Sequence, residues 1–361
     1  MHVAFIVPCL NEEARVRATA MSLVGEEDQL PADTDLILVD NGSTDATWTI
    51  LGDLVALGKG RIHRVRESRS GFVPPRRRGV LHAAGLARRR GISADDVLIL
   101  QGDADTIYLP DYIERMRSSA AANVLLEGSI GRVEEGDPRL LAYRALELKV
   151  DHVIRAYEVD DLQETLVDDK ACGYRLTDYQ RWGGLQREYA ADGSELHAET
   201  TRLFLRARAL AGATRQRVES AGALTSPRRI LEDPVLYFCT AGYPRERSWI
   251  ARLRRAAATA GGPRVALGED SSYANQAAIR CRFGHALALF WVLPWLTAIL
   301  LEDRSLDMTP VSLGLQNFSR SDLAERPGAV LMRLLDMIEE PDTALSKLVD
   351  QHANEAARAL G

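Results

Sequence analysis

Residues 97–106 read VLILQGDADT, a short apolar run that ends in two aspartates two positions apart. Four more runs lie in the first part of the chain, three of them apolar at residues 3–7, 36–39 and 124–126 and a weaker one at 62–65. Continuous apolar runs bounded by turn residues are typical of strands that are buried on both faces of a mostly parallel sheet. The pattern therefore predicts an α/β fold with a Rossmann-like sheet flanked by helices.

Amphipathic stretches lie between these runs and beyond them, and they predict helices. We expect helices at residues 12–24, 46–57, 75–90, 111–121, 138–157 and 198–210, and an almost wholly helical chain from residue 243 onward. The change of pattern after Gly131 predicts three parts, namely residues 1–130, 131–242 and 243–361.

The composition excludes some classes of protein. The chain has 361 residues with 45 basic and 51 acidic side chains, so its net charge of −6 argues against nucleic-acid binding by bulk charge. The four cysteines are far apart and form no CxxC pair, so neither a zinc knuckle nor a dense disulfide framework is predicted. Together with an N-terminus that lacks the features of a signal peptide, they lead us to expect a reduced, cytoplasmic compartment.

The apolar stretch at residues 283–301 contains no Lys, Arg, Asp or Glu. Its length is close to that of a membrane span. Pro294 interrupts it, and His285 and Thr297 make it less apolar. We expect a buried or interface helix, with membrane contact as the alternative.

Polar residues follow three of the predicted strands, and most of the polar groups are carboxylates. The segments are PCLNEE at residues 8–13, DNGSTD at 40–45 and GDAD at 102–105. Ligands of open α/β sheets bind outside the carboxyl ends of the strands. Neighbouring carboxylates repel one another unless a cation or a donor-rich ligand lies between them. Asp103 and Asp105 can reach one hard cation, and Mg²⁺ or Mn²⁺ accepts such carboxylates together with substrate phosphates.

The same segments resemble the strand-end motifs of the family 2 glycosyltransferases of GT-A fold. The resemblance rests on VPCLNEE at residues 7–13, ILVDNGSTDAT at 37–47 and LQGDADTIYLPDYI at 100–113. A fourth segment, GFVPPRRRG at residues 71–79, stands where the family usually has GxxxARNxG. The order of the four motifs along the chain is quite specific. The resemblance implies a glycosyltransferase that takes a nucleotide-sugar donor.

The resemblance also implies roles in donor binding. Pro8, Leu10 and Glu12 would line the nucleoside pocket, and Asp40 would accept a hydrogen bond from the base or the ribose. Arg76 would approach the base or the diphosphate, because a guanidinium suits an anion.

The DAD motif is implied to bind the metal. Asp103 would lie near the ribose and the metal, and Asp105 would bind the Mn²⁺ or Mg²⁺ ion that bridges the diphosphate. The ion would neutralise the charge that develops on the leaving nucleotide.

A single displacement also needs a base for the acceptor hydroxyl, and a carboxylate usually serves. Glu199 and the pair Glu269–Asp270 are both candidates. Glu269–Asp270 matches the letters of the family's ED motif. Glu199 matches its context, since the segment TSPRR at residues 225–229 resembles the family's TSxRR. We favour Glu199, although Thr200 replaces the family's Asp.

Other polar residues nearby are further candidates. Asp192 and Glu195 are the next choices for the base, and His197 is a candidate metal ligand. Arg228 and Arg229 could grip the diphosphate.

Two other functions compete with this reading. A sugar nucleotidyltransferase would need a glycine-rich, basic loop after the first strand, and this chain has an acidic one. A non-catalytic nucleotide-sugar binding protein would keep the donor motifs without a working base. The sequence leaves open whether the acceptor is a small molecule, a glycan or a lipid-linked compound. The C-terminal region could cover the acceptor site, form a homodimer or touch a membrane.

Overall fold

A computed structural model of the protein describes residues 1–24, 30–132, 137–155, 162–240, 272–302, 304 and 313–360. By contacts, the chain forms two compact units. Unit 1 comprises Met1–Val133 and Val167–Ser226, and unit 2 comprises Glu134–Leu166 and Pro227–Gly361.

A mixed sheet forms the centre of unit 1. Its strands are β1 (His2–Cys9), β2 (Thr34–Asp40), β3 (Ile62–Arg66), β4 (Val97–Gly102), β5 (Thr106–Tyr108), β6 (Val124–Arg132), β7 (Ala171–Arg175) and β8 (Thr214–Thr225). They lie in the order β3-β2-β1-β4-β7-β6-β8-β5. The neighbours from β3 to β4 pair in parallel, whereas β7 is antiparallel to both β4 and β6. The predicted α/β fold class is thus confirmed, and the five predicted apolar runs all form strands.

Helices cover both faces of this sheet. They are α1 (Val16–Ser22), α2 (Thr47–Leu57), α3 (Val73–Arg90), α4 (Tyr112–Ser118), α6 (Leu176–Arg181) and α7 (Glu199–Ala211). Alternate residues of β1 enter opposite hydrophobic cores: Phe5 packs in the core that includes α1, α2 and α4, and Ile6 in the core that includes α3 and α7. Burial on both faces explains why the strands read as unbroken apolar runs.

Helix α3 approaches the sheet closely. At Gly79, an added Cβ atom would lie 2.3 Å from Ile6 Cγ2. The helix ends at Gly91, which has a left-handed φ of 70°, and three arginines occupy its last turn, where positive charge is favourable. These local features fix the register of α3, and therefore the place of Arg76 near its start.

Unit 2 is helical. The helices are α5 (Pro138–Arg155), α8 (Arg228–Glu232), α9 (Pro234–Thr240), α10 (Ser272–Ala286), α11 (Leu293–Glu302), α12 (Arg320–Glu325), α13 (Pro327–Glu339) and α14 (Ala344–Leu360), and a π-helical turn (Leu287–Val292) joins α10 to α11. The buried Arg282 of α10 forms an ion pair with Asp151 of α5 at 2.7 Å. The described part of the C-terminal region is therefore helical, as predicted.

One helix of unit 2 has the length and composition of a membrane span. It covers Ala278–Glu302 with a mean hydropathy of 1.8, and 72% of its most apolar window is buried inside the chain. Burial of this kind favours the interpretation of residues 283–301 as a core helix.

The predicted division into residues 1–130, 131–242 and 243–361 stays a prediction. By contacts, residues 167–226 pack with the N-terminal part because β7 and β8 extend the same sheet.

Candidate active site

Two loops at the carboxyl edge of the sheet hold each other in place. The Asn11 backbone N–H donates to Ser43 Oγ at 3.0 Å, and the Glu13 N–H donates to Asp45 Oδ2 at 3.1 Å. Asn11 can take part because it adopts a left-handed φ of 55°. Asn11, Glu13, Ser43 and Asp45 therefore join the ends of β1 and β2, and much of the polar sequence there has a structural use.

Asp40, at the end of β2, is buried. Its Oδ1 accepts a hydrogen bond from the Ser43 N–H at 3.3 Å, and Arg66 Nε lies 3.9 Å from its Oδ2. The Arg66 guanidinium also lies 4.0 Å from the centre of the Trp48 ring. Asp40 is thus a carboxylate held against a cation at the sheet edge, where the predicted nucleoside pocket would lie.

The other residues of the predicted nucleoside pocket follow β1. Leu10 is 52% exposed, which is unusual for leucine, while Pro8 and Glu12 are half-buried. An exposed apolar side chain at a strand end can pack against a planar base. The structure therefore brings Pro8, Leu10 and Glu12 to the same edge as Asp40, because β1 and β2 pair in register up to Cys9 and Asp40.

Arg76 is the centre of the site. It is buried, and five acceptors surround its five N–H groups. These are Glu199 Oε1 at 2.9 Å, Asp103 Oδ1 at 2.8 Å, Asp169 Oδ2 at 2.8 Å, the Gly102 carbonyl at 3.2 Å and Gln101 Oε1 at 3.4 Å. The guanidinium thus joins α3, the end of β4, the segment before β7 and the start of α7. If Arg76 contacted a nucleotide, as predicted, it would have to give up one of these five hydrogen bonds to bind it.

Glu199 is the first residue of α7 and is only 4% exposed. Burial and the neighbouring Asp169 carboxylate raise the pKa of Glu199 to about 7, and the cation of Arg76 opposes this rise. A carboxylate with a pKa near neutrality can both take and give up a proton at physiological pH. The carboxylates in turn raise the pKa of the Arg76 guanidinium, against the effect of its burial.

Asp169 was not identified from the sequence, although it is a member of this cluster. It precedes β7, which is antiparallel to β4, and Ala171 pairs with Gly102. The start of β7 therefore lies beside the end of β4. No motif marks Asp169. The available signal was its position before the short apolar segment at 171–174, and that signal becomes useful only once the strand direction is known.

The DAD motif follows β4. The Asp103 N–H donates to Tyr108 Oη at 3.2 Å, and the Tyr108 hydroxyl donates to the Lys170 carbonyl at 2.8 Å. Asp105 is half-buried, and its carbonyl accepts a hydrogen bond from the Ser226 N–H at 3.1 Å. Among the residues that the structure describes, no group of three or more His, Cys, Asp or Glu could hold a metal ion.

Glu195 and Asp192, the next choices for the base after Glu199, have other contacts. Glu195 caps the start of α3, since its Oε1 accepts from the Val73 N–H at 3.1 Å, while Oε2 lies 3.0 Å from Arg187. Asp192 is exposed, and hydrogen bonds from Ser194 lower its pKa. Glu269 and Asp270 lie outside the residues that the structure describes.

His197, the candidate metal ligand, has an aromatic neighbour in unit 1. Its ring is tilted against that of Phe72, with 3.8 Å between the ring centres. Arg228 belongs to unit 2, where it pairs with Glu232 at 4.0 Å.

Comparison with known proteins agrees with the sequence motifs. Residues 4–157 match the model of the family described as Glycosyl transferase family 2. This match covers less than half of the chain and confirms its predicted resemblance to the family 2 glycosyltransferases. The mixed sheet agrees with the predicted GT-A fold class. No curated protein matches the chain.

Several solved structures are similar over much of the chain at low sequence identity. TarS 1-349 of S. aureus in complex with UDP-GlcNAc is 13% identical over 100% of this chain and 91% of its own, with a TM-score of 0.42. The mannosyltransferase PcManGT from Pyrobaculum calidifontis, in complex with GDP-Man and Mn²⁺, is 16% identical over 96% and 86%, with a TM-score of 0.40. Glucosyl-3-phosphoglycerate synthase from Mycobacterium tuberculosis, in complex with Mn²⁺, UDP-Glc and glycerol 3-phosphate, is 18% identical over 64% and 75%, with a TM-score of 0.36.

Proposed function

We propose that this protein is a nucleotide-sugar-dependent glycosyltransferase of the hexosyl class (EC 2.4) that acts by single displacement with inversion. One observation carries the proposal. Arg76, Asp103 and Glu199 come from three separate motif regions, and hydrogen bonds of 2.8 Å and 2.9 Å join them at the carboxyl edge of the sheet. A sheet edge of this kind is the usual ligand site of an open α/β fold.

Donor binding is assigned to the residues at the ends of β1 and β2. Leu10, with Pro8 and Glu12, would contact the nucleoside, and Asp40 would accept a hydrogen bond from it. The burial of Asp40 supports this role, because a buried acceptor discriminates strongly between ligands that do and do not offer a donor.

A divalent cation fits the donor set. Asp103 and Asp105 supply hard oxygen ligands, and Mg²⁺ or Mn²⁺ commonly combines one or two carboxylates with water and phosphate oxygens. When bound, the ion would neutralise charge on the departing nucleotide. Arg76 contacts one oxygen of Asp103 at 2.8 Å. Asp105 is the proposed ligand of the ion that bridges the diphosphate, as the family resemblance implies.

Glu199 is the proposed base for the acceptor hydroxyl. Its near-neutral pKa supports the role. The acceptor is a hydroxyl compound of unknown class. A cytoplasmic location for the reaction is also proposed, on the widely spaced cysteines alone.

One alternative has its own observation. Glu199 is almost sealed from solvent and bonded to Arg76, as expected if the site bound a nucleotide-sugar without turning it over. Such a binding protein would use the same donor residues.

The test begins with the donor. Binding of nucleoside diphosphates with and without Mn²⁺ is measured by thermal shift, since a ligand of the native state raises its stability. Sugar derivatives of the preferred nucleotide are then assayed for hydrolysis and transfer. Glu199→Gln should bind the donor like the wild type and turn it over ~10²–10⁴-fold more slowly.

Glu195→Gln is the matched control, because Glu195 caps α3 and should leave turnover nearly unchanged. Equal activity of Glu199→Gln and the wild type would remove Glu199 as the base. Donor binding without any turnover by the wild type would favour the binding protein.

A further inference from the structure

Two thiols of unit 2 meet where α9 packs against α10. Cys239 Sγ donates to the Ala278 carbonyl at 3.8 Å, and the side chain of Arg282 donates to the Phe238 carbonyl at 3.2 Å. These contacts fix the register of the two helices. Cys281 lies beside Arg282 and one turn after Ala278, so its side chain comes to Cys239, with which it shares a hydrogen bond.

The two thiols differ in exposure. Cys239 is fully buried, whereas Cys281 is half-buried. The hydrogen bond with Cys281, together with burial, raises the pKa of the Cys239 thiol. Cys239 thus keeps its proton, and Cys281 is the thiol that a small oxidant reaches. An accessible thiol beside a second, protected thiol is the arrangement of a reactive and a resolving cysteine.

We propose that Cys239 and Cys281 form a reversible redox pair that closes a disulfide when a small peroxide reaches Cys281. The Cys281 thiolate attacks one oxygen of hydrogen peroxide. The O–O bond breaks, Cys281 becomes a sulfenic acid, and the released hydroxide takes up a proton to form water. The Cys239 sulfur then attacks the Cys281 sulfur, the S–O bond breaks, and a second water leaves with the proton of Cys239.

The balance is two thiols and one peroxide to one disulfide and two waters. A thiol reductant reverses the reaction. This redox role is independent of the glycosyltransferase reaction, and it suits a reducing compartment, where protein disulfides are usually transient.

The disulfide would covalently link residues 239 and 281 and close the long loop between them. Cross-links across long loops restrict the unfolded chain most strongly. The oxidised protein should therefore unfold at a higher temperature than the reduced protein. It should also resist alkylation at these two positions.

The experiment treats the full chain with hydrogen peroxide and then alkylates it with N-ethylmaleimide in denaturant. Mass spectrometry should find a peptide cross-link between Cys239 and Cys281 that dithiothreitol removes, while Cys9 and Cys172 are alkylated as before. The unfolding temperature should rise by several degrees on oxidation.

Two variants separate the steps. Cys239→Ser should stop at a sulfenic acid on Cys281, which dimedone labels, and Cys281→Ser should leave Cys239 unreacted. The proposal is overturned if the wild type accumulates dimedone-labelled Cys281 without a cross-link. It is equally overturned if both thiols remain fully alkylatable after peroxide treatment, or if the disulfide forms with Cys9 or Cys172 instead.

Discussion

Replacing Arg76 with methionine removes the cation that three carboxylates share and keeps a side chain of similar length. At pH 5.5, Glu199 is protonated in the wild type, because its pKa is about 7. The carboxylates that then lose a charged partner are those of Asp103 and Asp169. Their side chains are 18% and 31% exposed, so water partly replaces the lost hydrogen bonds. We expect a destabilisation of about 2 kcal/mol at this pH.

The destabilisation caused by Arg76→Met should grow with pH. Glu199 binds its proton more tightly in the folded state than in the unfolded state, where the pKa is near 4.5, so wild-type stability falls as pH rises from 4.5 to 7. Without Arg76 the folded pKa rises further, and stability keeps falling above pH 7 by about 1.4 kcal/mol per unit. The difference between variant and wild type should reach about 3–5 kcal/mol at pH 8, the usual cost of breaking a buried ion pair.

Urea denaturation followed by circular dichroism at pH 5.5 and 8 measures this difference. Arg77→Met is the control, because Arg77 is the next residue of α3 and is exposed. It should change the free energy of unfolding by less than about 0.5 kcal/mol. If Arg76→Met unfolds at the same urea concentration as Arg77→Met at pH 8, Arg76 does not stabilise the site as its contacts indicate.

Three other changes test separate parts of the structure. Asp105→Asn should abolish Mn²⁺-dependent binding of the nucleoside diphosphate more completely than Asp103→Asn in calorimetric titrations, and wild-type metal dependence in both variants would contradict the metal assignment. Asp40→Ala should weaken binding of a phosphate-free nucleoside by about 1.5–3 kcal/mol, and an unchanged affinity would place Asp40 outside the pocket. Gly79→Val should lower the unfolding free energy by about 1–3 kcal/mol, because its Cβ would meet Ile6 at 2.3 Å; an unchanged urea midpoint would mean that α3 moves freely from the sheet.

The sequence predicted those parts of the fold that depend on local patterns. The apolar runs at the positions of β1, β2 and β4 are buried on both faces, so they carry a strong signal. Strand β8 was not predicted from the sequence. Exposed charged residues and buried apolar residues alternate in only half of its length, so the pattern of a strand is weak there. Strand β7 is short and contains a glycine, which weakens the pattern.

The contacts of Asp45, just before α2, show the limit of a local pattern. Asp45 Oδ1 accepts a hydrogen bond from the Thr47 N–H at 3.0 Å, only two residues along the chain. Asp45 also binds Glu13 through Oδ2, a contact 32 residues away that no local pattern reveals.

The amino-acid sequence by itself predicted the resemblance to the family 2 glycosyltransferases, the strands β1 to β4 and β6, and the motif residues Asp40, Asp103 and Asp105, because each motif follows directly from a buried strand. The tertiary structure alone decided what Arg76 does. Its guanidinium is satisfied by Asp103, 27 residues away, by Asp169, 93 away, and by Glu199, 123 away. Asp169 reaches the cluster because β7 runs antiparallel to β4, and strand direction is set by the packing of the whole sheet rather than by the residues of the strand.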